Sequence, residues 1–357
     1  MSKETSKIRR FEATELIQFT IEVLEKVGVP REHAKLAADT LIRANLEGID
    51  SHGLTRLGIY CQRMNESRIN PQPKIQFSKK GLSVLKVNGD NGLGHIVSSE
   101  AITRGIGMAK ETGMVGITVN NSNHFGTASY YCQMACDHKL AALAFTNSPS
   151  GIPPWGGRQA FYGTNPIAFG FPTDDDVPVI IDMSTSVVAR GKIIAAEKQG
   201  KRIPDGWAID ENGNMTNDAA AALRGAVLPL GGAKGSALAM AVEILTGILT
   251  GAAFGPNVTS IYQDEKTDHA NVGHFFILID IEKFMPIEEF TSSMGELLQA
   301  MKNIPKVPGS DEIRYPGERR KREHDRRMKE GIPLPEQVVE ELNLLGEIYG
   351  VRFPKNE

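Results

Sequence analysis

The stretch Leu82-Ser-Val-Leu-Lys-Val-Asn-Gly-Asp-Asn-Gly-Leu-Gly-His-Ile96 sets the fold class. Its first six residues form a short apolar run, its middle is a turn of glycine, asparagine and aspartate, and a helix-like stretch follows from Ile96 to Lys110. Strand, turn and helix in that order open an α/β unit rather than an all-β sandwich. The turn is not the usual dinucleotide fingerprint. Its glycines are spaced G-x-x-G-x-G, whereas close backbone approach to a pyrophosphate needs G-x-G-x-x-G. Outward from this stretch the same texture recurs, with strand-like runs at Met114–Val119, Leu140–Thr146, Pro166–Phe171, Val177–Met183 and Phe275–Ile281. A further helix-like segment, Ala128–His138, separates the second and third strands, so a mixed or parallel central sheet with helical crossovers and flanking helices is expected.

Both ends read as helical. Leu16, Thr20, Val23, Leu24 and Val27 share one helical face, which Gly28 and Pro30 terminate, and Ala34, Ala37, Ala38, Leu41 and Ile42 predict a second helix over Arg31–Glu47. Residues 1–80 and 285–357 are thus expected to form one discontinuous helical domain around an α/β domain of residues 81–284. Ala237–Phe254 is almost charge-free, but Glu243, Gly247 and Gly251 interrupt it, and it reads as a helix buried in a large core rather than a membrane span.

Composition narrows the function classes. The 357 residues carry 40 Lys and Arg against 43 Asp and Glu, a formal charge of −3, so no chain-wide positive field favours nucleic acid or an anionic membrane. Cys61, Cys132 and Cys136 are too few and too irregular for a secreted disulfide scaffold, and the polar start MSKETSKIRR has no secretory apolar run. A cytoplasmic home is expected. Cys132, Cys136 and His138 lack a fourth ligand for structural zinc. Seven Lys or Arg fall between Glu318 and Lys329, among Glu318, Glu323 and Asp325, as in a solvated helix or an arm lying on a neighbouring subunit.

Chemistry concentrates at a few places. In Ser51-His-Gly-Leu-Thr-Arg56 a histidine able to exchange protons near neutral pH lies four residues from a guanidinium suited to a carboxylate, the pair that reduction of a 2-keto acid requires. A surface turn could have the same residues. His124 stands in Asn120-Asn-Ser-Asn-His-Phe-Gly126, straight after a strand, where α/β folds gather ligands, although a capped turn would also use these residues. Tyr162-Gly-Thr-Asn-Pro166 and Ile181-Asp-Met-Ser-Thr-Ser186 have the same form. Gly231-Gly-Ala-Lys-Gly-Ser236 lacks Walker spacing but could bind an anion through backbone amides at a helix start.

Taken together, Ser51-His-Gly-x-x-Arg56, Asn120-Asn-Ser-Asn-His-Phe-Gly126, Tyr162-Gly-Thr-Asn-Pro166, Ile181-Asp-Met-Ser184, Gly231-Gly-x-Lys-Gly235 and Tyr315-Pro-Gly-Glu318 resemble the type-2 malate/L-lactate dehydrogenase family, over residues 10–352. That family includes ureidoglycolate, sulfolactate, 2,3-diketogulonate and cyclic-imine reductases. The resemblance implies hydride transfer between NAD or NADP and a small 2-keto or 2-hydroxy acid, in a non-Rossmann NAD(P)-binding fold whose α/β part is residues 81–284. It implies that His52 donates the proton to the carbonyl, that Arg56 anchors the carboxylate, and that Ser51 hydrogen-bonds near the substrate. His124 is the rival acid/base or the group that orients substrate and nicotinamide. Ser148, Asp182, Met183, Ser184, Thr185, Ser186, Lys234, Gly317 and Glu318 fall where relatives contact the dinucleotide. Ser148 is a departure, since some relatives have lysine there, which counts against ureidoglycolate as substrate. The resemblance further implies a homodimer with its active site near the interface, to which Arg56 or the basic C-terminal segment contributes across subunits. A cyclic-imine carboxylate reductase, or a dinucleotide-binding homologue without catalysis, are the alternative readings.

Overall fold

The computed structural model describes residues 8–261 and 269–355. Its centre is a seven-stranded sheet in the order β2-β3-β4-β11-β5-β6-β7. The stretch that opens the sequence reading forms β3 (Val84–Asn88), a turn, and α4 (Gly94–Thr112), which crosses to β4 (Met114–Ser122) lying parallel to β3. β2 (Gln76–Lys79) pairs antiparallel on the outside. α5 (Ala128–Cys136) then leads to β5 (Leu140–Thr146), β6 (Ile167–Phe171) and β7 (Val179–Met183), an antiparallel succession. Between β4 and β5 lies β11 (Val272–Asp280), antiparallel to both and drawn from more than a hundred residues later. Its run Phe275-Phe-Ile-Leu-Ile279 carries no charge, as expected of a strand with neighbours on both edges and cover on both faces. The sheet is therefore mixed, with β3–β4 its parallel pair.

One face of the sheet is covered by α4 and α5, where Val97, Ala101, Ile102, Tyr131 and Ala135 pack on Val87, Ile117, Val119, Phe276 and Leu278. The other face carries α8 (Ala233–Glu243) and the π-helical turn Ile244–Ile248, with Val242 against Phe145 and Ile167. Here the structure corrects the expected buried helix. Leu238, Met240, Ile244, Ile248 and Leu249 are between 41% and 57% exposed, so α8 is an outer layer with one face on the sheet and a second apolar face open. An apolar helix with one unpaired face has the same composition as one enclosed on all sides. The charged exception on the buried face, Glu243, accepts from Asn165 Nδ2 at 2.6 Å and from the Gly255 amide at 2.7 Å. Among the described residues no helix is long and apolar enough to cross a membrane.

The helical layer draws on both ends of the chain. α1 (Ala13–Lys26), α2 (Arg31–Leu46), α3 (Leu57–Asn65) and α11 (Glu336–Tyr349) share one core that includes Leu16, Leu24, Leu41, Tyr60, Val339 and Phe353. β1 (Ile8–Phe11) and β12 (Ile332–Pro335) close it as an antiparallel pair, too short and too proline-rich to be read as strands beforehand. α9 (Ile287–Lys302) buries no residue fully, while α10 (Glu318–Glu330), the basic segment, lies on α2 of the same chain and pairs Arg320 with Glu47 at 2.9 Å. The remaining segment, α6 (Arg190–Lys198), β8 (Ala208–Ile209), β9 (Met215–Thr216), α7 (Ala219–Arg224) and β10 (Ala226–Val227), builds a small satellite core around Ile193, Ile203 and Val227.

Candidate active site

Because β4 and β5 run the same way and β6 reverses, the ends of β4, β5 and β7 and the start of β6 meet at one edge of the sheet. His124, Ser148, Thr164 and Asp182–Ser186 all follow or precede these strand ends. The helical layer brings the Ser51–Arg56 turn to the same edge, so four residues singled out from the sequence come together. The rings of His52 and His124 stack with centroids 5.6 Å apart. Ser51 Oγ is 3.0 Å from His52 Nδ1, and Arg56 Nε donates to the Ser51 carbonyl at 2.6 Å, which bends the guanidinium back over the turn. Two short 3-10 turns, Asp50–His52 and Leu54–Arg56, present these side chains.

His124 is held from beneath by residues that sequence reasoning missed. Tyr60 Oη lies 2.6 Å from His124 Nδ1, and the Gly126 amide points at the same nitrogen from 3.4 Å. Burial pushes the Tyr60 phenol well above its ordinary value, so it keeps its proton and donates to Nδ1; the neutral ring then carries its own hydrogen on Nε2. Gly126 has φ +80° and a Cβ there would stand 2.9 Å from His95 Nε2, so only glycine fits. His95 is fully buried, and neither of its ring nitrogens has a hydrogen-bond partner among the described residues. His274 bridges Thr146 Oγ at 2.8 Å and Ser122 Oγ at 2.9 Å, and stacks on Phe125, which ties the ends of β4 and β5 together under the His124 loop. Tyr60 and His95 stand in no motif that the sequence singles out for chemistry; their polar atoms gain meaning only when the layers meet.

The electrostatics follow from this crowding. Burial lowers His52 below 6.5, Arg56 lowers it further, and the Asp182 carboxylate acts in the opposite direction. His124 is driven far lower, by burial first and then by His52, His95 and Arg56 around it. His95 is pushed down to about 3 by burial and by His52. The site at rest therefore holds neutral imidazoles beside one guanidinium. Asp182 also accepts the Ser129 amide at 2.9 Å, at the start of α5.

The hydroxyl-rich segment shows two kinds of residue. Ser148 Oγ accepts from the Thr164 amide at 3.0 Å, Thr185 donates to the Thr164 carbonyl at 3.0 Å, and Ser186 donates to the Val188 carbonyl at 2.8 Å, so these three brace the loops internally. Met183 is exposed and Ser184 half-exposed at the end of β7. The Leu230 amide bonds to the Thr185 carbonyl at 2.8 Å, which sets the Gly231–Gly232 turn and the exposed Lys234 beside this segment. Gly317 and Glu318 lie apart, along the outer edge of β7, where Pro316 accepts the Ile180 amide at 3.0 Å and Glu318 is engaged by the Tyr315 amide and Lys302.

A sequence model of the malate/L-lactate dehydrogenase family matches residues 11–343. The chain belongs to that family. It is 39% identical to a malate dehydrogenase of Pyrococcus horikoshii over 344 residues, covering 94% of each chain, and 38% identical to an NADP-dependent (2R)-3-sulfolactate dehydrogenase of Chromohalobacter salexigens, covering 90% and 93%. Its structure is similar to that of malate dehydrogenase from Entamoeba histolytica, with a TM-score of 0.93, 31% identity and coverage of 98% and 100%. Malate/L-lactate dehydrogenases are pyridine-nucleotide oxidoreductases of hydroxy acids, and the residues here fit such a cofactor. Gly231 and Gly232, with φ of +60° and +67°, open the N-terminus of the eleven-residue α8 next to Lys234, a place where backbone amides and a cation can meet a diphosphate. This family membership also accounts for the missing G-x-G-x-x-G: the Gly89–Gly94 turn is a brace instead, packed so closely on the Asn123 and His124 carbonyls that Gly94 leaves no room for a Cβ.

Proposed function

We propose that this protein is an NAD(P)-dependent reductase of small 2-keto acids, acting reversibly as an L-2-hydroxy acid dehydrogenase of the malate/L-lactate type. The observation that carries the reading is the convergence of Ser51, His52, Arg56 and His124 at one sheet edge, beside the Asp182–Ser186 segment. When bound, the dinucleotide supplies the hydride. Arg56 holds the substrate carboxylate, and His52, protonated at Nε2 and steadied by Ser51 and the Asp182 charge, delivers the proton to the carbonyl oxygen. His124, with its hydrogen on Nε2 and Tyr60 behind it, orients the reacting group as a neutral donor. The purified protein, assayed with oxaloacetate, pyruvate, sulfopyruvate and piperideine carboxylate against NADH and NADPH, tests this. Turnover of a keto acid supports it, preference for the cyclic imine replaces the substrate, and dinucleotide binding without any turnover overturns it.

The proposal includes a homodimer in the cytoplasm. The open apolar face of α8, with Ile248 and Leu249 each 57% exposed, suits burial against a second copy, and the three thiols are free and buried. Sedimentation of the protein and of Ile248→Asp checks the dimer, which the variant should weaken; a monomeric parent would remove that part of the reading.

A further inference from the structure

The turn that presents Ser51, His52 and Arg56 is two three-residue 3-10 turns flanking Gly53. Thr55 Oγ1 on the Asp50 carbonyl at 2.9 Å and Arg56 Nε on the Ser51 carbonyl at 2.6 Å brace it from within, but such bonds set its shape and not its place in the fold. What anchors it to the helices around it is the side chain of Asp50. Its Oδ1 accepts from Arg327 Nη1 at 2.7 Å and from Asn45 Nδ2 at 2.7 Å, and its Oδ2 accepts from Arg327 Nη2 at 3.2 Å. Arg327 Nη1 also donates to the Asn45 carbonyl at 2.7 Å, and Nε donates to Glu323 at 2.6 Å. Asn45 completes the clamp by accepting the Leu54 amide at 2.8 Å, on the far side of His52. Asn45 is fully buried and Arg327 is 7% exposed. An enclosed guanidinium is costly unless its N–H groups find acceptors in the right plane, and four of the five here are met by a carboxylate fork, a helix-end carbonyl and a second carboxylate. Gly48, with φ +75°, lets Glu323 come against the same turn.

We infer that Arg327, from the basic helix α10, is a positioning residue for the active site: through Asp50 and Asn45 it sets where His52 and Arg56 stand. It touches neither substrate nor cofactor in this role. The inference rests on the reading that the Ser51–Arg56 turn does the chemistry, and it gives the basic segment work within its own subunit, where the sequence suggested work across subunits.

The test uses the full chain and four variants, Arg327→Gln, Arg327→Lys, Asp50→Asn and the Arg327→Gln/Asp50→Asn pair. Three readouts are taken: NADH affinity by fluorescence, the pH profile of kcat and KM for oxaloacetate reduction, and the rate at which diethyl pyrocarbonate modifies His52, located by mass spectrometry. Arg327→Gln and Asp50→Asn should each lower kcat/KM about 10- to 100-fold, through both a higher KM and a lower kcat, with NADH affinity kept within about twofold and His52 modified several-fold faster. Arg327→Lys should retain more activity than Arg327→Gln, and the double variant should lose little beyond either single change, because both break one link. Unchanged pH profile, kcat/KM and His52 reactivity in the single variants would overturn the inference, as would additive losses in the pair, or losses of NADH affinity that parallel the loss of activity in all variants. If the parent binds NADH but turns over no substrate, the functional reading fails, and the His52 modification rates still decide whether Arg327 positions the turn.

Discussion

At the residue scale, two histidines that look alike in sequence are made different by what stands behind each. His124 has a phenol at 2.6 Å and three charged or titratable rings around it, whereas His52 has a serine and, further off, a carboxylate. In the proposed reaction the moving proton therefore belongs to His52. His52→Ala should lower kcat about 10² to 10⁴-fold, as for a lost general acid, while Arg56→Ala should act mainly on KM; steady-state kinetics with oxaloacetate checks both. Reduction needs protonated His52, whose value lies below 6.5, so kcat/KM for the keto acid should fall as pH rises through that lowered value, and oxidation of the hydroxy acid, which needs the neutral base, should rise. A profile that does not change in His52→Gln would place the titrating group elsewhere. The Ser-His and Arg of this site were legible from their spacing and chemistry. Tyr60 and Arg327 were not, since each acts through a contact with a residue far along the chain.

At the element scale, runs of apolar residues bounded by glycine and asparagine located six of the seven strands of the central sheet within a few residues: Leu140–Thr146 is β5 to the residue, and Met114–Val119 falls within β4. Order in the sheet was harder to read. Nothing local in Phe275–Ile281 says that it separates β4 from β5, because the pairing is decided by which edges remain open once α4 and α5 have covered their face. Nor could composition tell that α8 leaves half its apolar surface uncovered. The turn before α4 is where an element and the site depend on each other. A Cβ on Gly94 would collide with the Asn123 and His124 carbonyls, and backbone cannot swing aside as a side chain can. Gly94→Ala should therefore shift the His124 loop, costing about 1–3 kcal/mol of stability and lowering kcat/KM at the same time; chemical denaturation and kinetics on the same preparation would show both, and a stable variant with full activity would mean that the loop relaxes freely.

At the scale of the whole molecule, the buried histidines set how the fold responds to acid. His95 and His274 are each held near 3, against 6.5 when unfolded. Between those values the unfolded chain binds protons that the native chain refuses, so stability is full above pH 6.5 and declines as pH falls toward 3, by an amount on the order of a few kcal/mol for each ring. The melting temperature should drop steeply below pH 6 in the parent, and His274→Gln should show a shallower drop. Equal slopes would mean that these rings are not what the acid acts on.

The pairing of β1 with β12 has a consequence for how the protein is made. The strand at residue 8 waits for a partner at residue 332, and β4 and β5 wait for β11, so a chain still growing on the ribosome has an open helical core and a sheet with a gap in its middle. The sheet stays gapped until residue 280 is made and the helical core stays open until about residue 335, so folding is expected to be late and dependent on protection during synthesis.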